Sequence, residues 1–202
     1  LVETLAPGAL RVDNRRGLAP LAINVVMPRL IAAARDQGIA AAAVTNSHHF
    51  AALWPEVEML AEAGLVGLAM TVGKSAVAPA GGTKPLFSTN PMAFAWPRPD
   101  GPPMVFDQAS SAMARGEIMI AQRDGHDLPD GVGIDSDGIP TTDPAAILEG
   151  AQLAFGDYKG SAIAMMVELL SCALIGQPFS FEATAADNND GGPVTSGQFI
   201  LA

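Results

Sequence analysis

Cysteine and basic side chains are scarce in this sequence. The 202 residues include a single cysteine, Cys172, so no disulfide within the chain and no multi-cysteine metal site can form. Because Cys172 lies in an apolar run, we expect a small buried side chain rather than a reactive thiol. Lysine and arginine total 11 against 21 acidic residues, and the net charge of -10 argues against a nucleic-acid surface. Small molecules are the expected partners.

Long apolar runs and aromatic side chains are also missing. Aromatic residues make up 5% of the chain, too few to suggest a platform for base stacking. The most apolar candidate helix, residues 161–175, contains Glu168 and is too short to cross a bilayer, and no basic leader with an apolar stretch opens the chain. With 49% hydrophobic and 16% charged residues, the composition predicts a globular, cytoplasmic protein without a membrane segment.

Helical and strand patterns alternate along most of the chain. The apolar spacing and the positions of glycine and proline predict helices at residues 20–37, 55–63, 112–122 and 161–175, with a short helix opening at Asp143 and Pro144. Apolar runs predict strands at residues 39–45, 65–72, 104–107 and 198–202. Frequent proline and glycine predict loops across residues 73–101. The pattern is that of a mixed α/β domain with long connections.

Polar segments follow two of the predicted strands. His48 and His49 come after residues 39–45, at a position where open α/β folds bind ligands, although adjacent histidines on a turn point apart and disfavour a shared metal. A histidine that caps or fills the space beneath a loop is the structural alternative. Asp107 ends another strand, where its carboxylate could accept hydrogen bonds from ribose hydroxyls or cap a helix.

Three further positions carry polar groups of interest. Thr89 belongs to a short polar turn before Pro91, where a self-contained turn is the simpler explanation. Lys159 opens the apolar helix between two glycines, an arrangement suited to an anion such as phosphate. Glu117 lies near a helix start, where a solvated carboxylate favoured by the helix dipole is the default. The glycine spacing matches neither a Walker loop nor a Rossmann fingerprint.

Taken together and in order, five segments resemble the malate/L-lactate dehydrogenase-like family. They are residues 46–50 (NSHHF), 86–91 (LFSTNP), 105–111 (VFDQASS), 131–144 (GVGIDSDGIPTTDP) and 158–170 (YKGSAIAMMVELL). Within the family, residues 47–58 (SHHFAALWPEVE), the MMVELL sequence and FSFE are more similar to the cyclic-imine reductase branch than to the malate, lactate or ureidoglycolate branches.

The resemblance implies a non-Rossmann NADP-binding fold, a mixed sheet with helices, in a homodimer whose active site lies between domains. It also implies NADPH as the cofactor, with NADH as the other candidate, and a cyclic imine carboxylate as the substrate. The substrate would contact Thr89. The cofactor would contact His49, Phe50, Ala51, Ala52, Leu53, Asp107, Gln108, Ala109, Tyr158 and Lys159.

The family's catalytic histidine belongs to a Ser-His-Gly segment, and no such segment occurs in these residues. Glu117 matches the family's later catalytic aspartate, and Ser88 replaces a family glycine. The chain starts without methionine and ends in a predicted strand. We therefore expect residues 1–202 to be the nucleotide- and substrate-binding core of a longer protein, without its N-terminal catalytic helical region and its C-terminal segment.

The resemblance predicts NADPH-dependent reduction of the C=N bond of Δ1-piperideine-2-carboxylate or Δ1-pyrroline-2-carboxylate, giving pipecolate or proline. The chain alone could then be inactive. Two alternatives stay open: a malate, lactate or ureidoglycolate dehydrogenase of the same family, and a non-catalytic nucleotide-binding module.

Overall fold

A computed structural model describes residues 2–48, 51–188 and 192–202 of the chain. Its centre is a seven-stranded sheet whose spatial order is β1-β2-β3-β10-β4-β5-β6. The strands are β1 Val2–Ala6, β2 Ala9–Leu18, β3 Ala41–His48, β4 Gly67–Thr71, β5 Met92–Trp96, β6 Met104–Gln108 and β10 Ser196–Leu201. A small second sheet, in the order β8-β7-β9, contains β7 Gly133–Ile134, β8 Pro140–Thr141 and β9 Ala151–Gln152.

Six α-helices accompany the described strands. They are α1 Ala19–Gln37, α2 Trp54–Glu62, α3 Arg115–Asp124, α4 Pro144–Glu149, α5 Tyr158–Glu168 and α6 Ser180–Ala185, and a π-helical turn, Leu169–Ala173, continues α5. Proline at the start of α1 and of α2 presets a helical φ, and Gly38 closes α1 in the left-handed region at φ 85°. None of the described helices is long and apolar enough to span a bilayer.

Helices cover both faces of the large sheet. One face packs α1 and α2 against strand residues such as Val44, Ala69 and Ile200, all with no exposed surface. The other face packs α5 and the π-helical turn against alternate strand residues, Met70 among them. The central strands are mostly apolar on both sides because each face is buried, although Thr45, Thr71 and Gln198 are buried polar residues within them. The fold is therefore a mixed α/β sandwich, as the sequence predicts.

The last strand occupies the middle of the sheet. β10 lies antiparallel between β3 and β4, with Gln198 opposite both Val44 and Thr71. β2 and β3 pair in parallel, while the other neighbours in the large sheet are antiparallel. This arrangement places the ends of β3, β4 and β10 side by side, where the polar segments after β3 and β4 begin.

Several predicted boundaries were wrong. Sequence patterns predicted no strand before residue 39, but β1 and β2 are present; most of their residues are exposed, and the alternation of buried apolar residues is limited to Leu10 and Val12. The predicted loop at residues 73–101 contains β5. Helix α3 begins at Arg115 instead of residue 112, because Ser110 and Ser111 donate their hydroxyls to the carbonyls of Asn90 and Met113 instead of capping a helix.

Cys172 is buried beneath the α5 face of the sheet, as expected. Burial, and then the neighbouring Glu168 carboxylate, raise the pKa of its thiol far above the ordinary value. We expect a thiol-specific reagent at neutral pH to label native protein slowly and denatured protein at once. Because the unfolded thiol ionises first, the free energy of unfolding should fall as the pH rises above about 8.5. Rapid labelling under native conditions would contradict this assignment.

Candidate active site

Asp107 joins two of the segments predicted to contact a cofactor. Its Oδ2 accepts hydrogen bonds from the backbone N–H groups of Leu53, at 2.7 Å, and Trp54, at 2.9 Å. The carboxylate thus holds the start of α2 against the end of β6, because two backbone donors that precede the first helical turn need an acceptor. The helix-capping role is realised, and it brings residues 51–53 next to residues 107–109.

Ser110 joins the remaining predicted segments through its backbone. Its N–H donates to the carbonyl of Thr89 at 2.7 Å, and its carbonyl accepts from Phe155 N at 3.1 Å. Three chain segments therefore meet at one residue: the substrate-binding candidate Thr89, the end of the Asp107–Ala109 segment and the turn that leads into α5. These backbone hydrogen bonds hold Thr89, the end of the Asp107–Ala109 segment and the turn before Lys159 close together.

The start of α5 differs from an open anion site because its backbone N–H groups are already hydrogen-bonded within the chain. The N–H groups of Lys159, Gly160 and Ser161 donate to the carbonyls of Gly156, Phe155 and Asp157. Because these donors are already used, an anion at this helix start would depend on the exposed Lys159 side chain and the helix dipole. Tyr158 is 67% exposed, so its ring is available to a ligand or to a second chain.

A cavity of about 760 Å³ opens beside Thr89. Its volume is in the range of small-molecule sites. Polar groups come from Thr71, Ser88 and Thr89, and the apolar lining includes Val72, Ala76, Met119 and Val194. Ala51, from the predicted cofactor segment, also lies in the wall. The cavity therefore combines apolar surface for a flat ring with hydroxyl groups that can orient it.

Two cationic side chains line this cavity, and sequence reasoning had assigned neither of them to a site. Lys74 forms an ion pair with Asp187 at 2.6 Å. Arg115 lies at the first position of α3, and desolvation lowers the pKa of its guanidinium, which stays charged because its ordinary value is so high. In this cavity Arg115 can pair with a carboxylate.

Glu117 occupies a different face of α3. Arg115 and Met119 are four residues apart on the face that lines the cavity, whereas Glu117 lies between them in sequence and thus roughly opposite on the helix. Its Oε2 accepts from the backbone N–H of Ala114 at 3.3 Å. In this chain the carboxylate closes the first turn of its own helix.

The other residues that were predicted to contact the cofactor differ in the exposure of their side chains. Leu53 has a buried side chain in the main core, so it can offer a ligand little beyond its backbone, whereas Ala52 and Gln108 are exposed and Ala109 is half-buried. His49 and Phe50 lie outside the described residues.

A second cavity of about 660 Å³ adjoins the first and shares Gly192, Pro193 and Val194 with it. Arg16 and His48 are in its lining, and His48 Nδ1 lies 3.3 Å from the carbonyl of Val194. Within residues 2–48, 51–188 and 192–202, no group of three or more histidine, cysteine or acidic side chains is arranged to hold a metal ion.

Comparison with known sequences places the whole chain in one family. The sequence model of the malate/L-lactate dehydrogenase family matches residues 2–202. The Delta(1)-pyrroline-2-carboxylate/Delta(1)-piperideine-2-carboxylate reductase of Pseudomonas aeruginosa is 54% identical over 201 residues, which are 100% of this chain and 60% of the relative. The Delta(1)-pyrroline-2-carboxylate reductase of Ancylobacter novellus is 53% identical over 97% of this chain and 58% of its own length.

Solved structures agree with these relatives. The crystal structure of delta1-piperideine-2-carboxylate reductase from Pseudomonas syringae superposes with a TM-score of 0.94 at 48% identity, over 100% of this chain and 61% of the other. The sulfolactate dehydrogenase of Methanocaldococcus jannaschii gives a TM-score of 0.85 at 30% identity, over 100% of this chain and 58% of the other. The chain spans about three fifths of the length of these proteins.

Proposed function

The chain belongs to the malate/L-lactate dehydrogenase family, and we propose that the protein reduces the C=N bond of a cyclic imine carboxylate, Δ1-pyrroline-2-carboxylate or Δ1-piperideine-2-carboxylate, to proline or pipecolate. The observation that carries the proposal is the cavity whose lining includes Arg115, Ser88 and Thr89. The names of two relatives that are 53% and 54% identical to this chain over 97% and 100% of its length support the choice of substrate.

A nicotinamide dinucleotide fits the residues that surround this cavity. Its volume of about 760 Å³ is large enough for a nicotinamide ring together with a small substrate. Reduced nicotinamide supplies a hydride when it is bound. Ala51 and the apolar lining would hold the ring, while residues 107–109 and Lys159 are the candidates for the rest of the dinucleotide. NADPH is the cofactor that we propose.

Arg115 and Thr89 would hold the substrate. A guanidinium binds a carboxylate through two parallel N–H donors, which fixes the orientation of a flat imine ring as well as its position. The Thr89 hydroxyl, in the same wall, is a second polar contact. The imine nitrogen needs a proton as the carbon accepts a hydride, and we propose that Glu117 orients the donor, as the family's aspartate would. The family resemblance also leads us to propose a homodimer.

Kinetic measurement of substrate and cofactor preference tests the proposed function. The oxidation of NADPH and of NADH by the full-length protein should be followed with both cyclic imines and, for comparison, with pyruvate and oxaloacetate. We expect the highest kcat/KM with an imine and NADPH. Turnover of the oxo acids without the imines would instead identify a 2-hydroxyacid dehydrogenase, and binding of NADPH without turnover of any of these compounds would identify a nucleotide-binding module.

The role of Glu117 can be separated from its helix-capping contact. Glu117→Gln keeps an oxygen that can accept from Ala114 N, so the thermal midpoint should change little. If the carboxylate charge orients the proton donor, kcat should nevertheless fall by roughly 10- to 100-fold. Glu117→Asp, which restores the family residue, should retain most of the activity. Equal activity of the Gln variant and the original protein would limit Glu117 to capping α3.

A further inference from the structure

Asn90 follows the two hydroxyl residues of the cavity wall in a strained conformation. It is wholly buried, with φ at +40°, and it precedes Pro91, which disfavours helical backbone at the residue before it. A non-glycine residue persists in such a conformation only where its surroundings over-determine it. The conformation of Ser88 and Thr89 therefore depends on whatever holds Asn90.

The side chain of Asn90 is held from one side by α5. Its Nδ2 donates to the carbonyl of Ala164 at 2.9 Å and to Oε1 of Glu168 at 3.0 Å. On the other side, its Oδ1 accepts from the Ser88 hydroxyl at 2.5 Å, and that hydroxyl accepts from Gly73 N at 2.8 Å. A continuous chain of hydrogen bonds thus runs from Glu168 to the cavity wall.

Glu168 is a carboxylate at 3% exposure, and the donors that the structure gives it are neutral. Besides Asn90, they are the N–H of Ser180, at 3.1 Å, the Ser180 hydroxyl and, at 3.7 Å, the thiol of Cys172. Burying a carboxylate among neutral groups is costly unless each oxygen is well supplied with donors. Each carboxylate oxygen accepts two donors here. A donor group in place of either oxygen would therefore face other donors and lose these hydrogen bonds.

We propose that Glu168 is a positioning residue for the active site. Through Asn90 and Ser88 it holds the wall that carries Thr89 in the geometry that receives the substrate. We call the hydrogen-bonded chain from Glu168 through Asn90 to Ser88 the tether. The identity of the substrate rests on the proposed function, whereas the existence of the tether does not. A simple structural role, tying α5 to α6, is the competing explanation, because Ser180 of α6 bonds the same carboxylate.

Two variants break the tether and a third spares it. Glu168→Gln keeps the size of the side chain, but its amide NH₂ must face either Asn90 Nδ2 or Ser180 N, donor against donor. Asn90→Gly accepts the positive φ without strain but removes both halves of the tether. Ser180→Ala removes one donor to Glu168 and leaves the contact with Asn90 in place, so it is the matched control for lost stability.

We expect kcat/KM in the first two variants to fall roughly 10- to 100-fold, mainly through a higher KM for the substrate, with the KM for the dinucleotide within about twofold. The amides of Gly73 and Asn90, which donate to Ser88, should exchange hydrogen faster in these variants. Ser180→Ala should show neither change, although its thermal midpoint falls.

Substrate KM and kcat within about twofold of the Ser180→Ala values in both tether variants would overturn the proposal. So would unchanged exchange at Gly73 and Asn90, a measurement that needs no substrate. If the original protein reduces an oxo acid instead of an imine, the proposed function fails alone, and the same variants are compared with that acid. Should Glu168→Gln fail to fold, Asn90→Gly decides the matter.

Discussion

Replacing Arg115 with methionine should lower kcat/KM for the cyclic imine by roughly 30- to 1000-fold. Methionine retains the apolar stem of the side chain and lacks the guanidinium, so the change removes mainly the charged group in the cavity wall. Arg115 is exposed in this structure, and a bound substrate would cover it. Loss of one partner from a charge pair that is desolvated in the complex costs about 2–4 kcal/mol, since the substrate carboxylate would be left without a counter-charge. Steady-state kinetics at saturating NADPH measures the effect.

Two other variants make this result specific. Arg115→Lys keeps the charge but loses the planar pair of donors, so its kcat/KM should lie between the original and methionine values. Arg123→Met removes an exposed cation from the same helix, where it is paired with its neighbour Asp124, and should leave kcat/KM within about twofold. If Arg115→Met raises the KM for NADPH but not for the imine, the guanidinium binds the dinucleotide instead.

The importance of Arg115 could not be read from its sequence context. The pattern started α3 three residues too early, which placed Arg115 inside a helix instead of at its first position. The rest of the cavity that α3 lines comes from residues 71–74, Ala76 and residues 192–194, which are far away in sequence. Glu117 was the predicted catalytic residue because it matches a family position, whereas Arg115, two residues earlier, lines the cavity.

The segments that meet at the site were more predictable than the sheet that carries them. Asp107 ends an apolar strand, and a carboxylate in that position has few roles other than ligand binding or capping. The position of β10 between β3 and β4 could not be predicted from the sequence, because an apolar run of this length predicts a buried strand without indicating its neighbours. The tether from Glu168 to Asn90 likewise joins residues 78 positions apart.

The second large effect that we expect is on stability, from Gly160→Ala at the start of α5. Alanine usually stabilises a helix relative to glycine, so helix propensity alone predicts a gain. A Cβ at residue 160 would lie 2.4 Å from the carbonyl oxygen of Phe155 and 2.9 Å from that of Ser110, and neither backbone atom can turn aside. The free energy of unfolding should therefore fall by about 3 kcal/mol, and the thermal midpoint by roughly 6–12 °C.

Gly160→Ala should also weaken cofactor binding, because it displaces the carbonyl of Ser110. The backbone of Ser110 joins Thr89 to the turn before Lys159. We expect a higher Kd for NADPH in the folded variant, measured below its lowered thermal midpoint.

Gly116→Ala is the matched control: it also lies in the first turn of a helix, and its Cβ would meet no atom within 4 Å. That change should be neutral or stabilise the protein by up to about 1 kcal/mol. Equal thermal midpoints for the two variants would mean that the α5 start has room to move, and that close packing at Gly160 does not fix the position of Lys159.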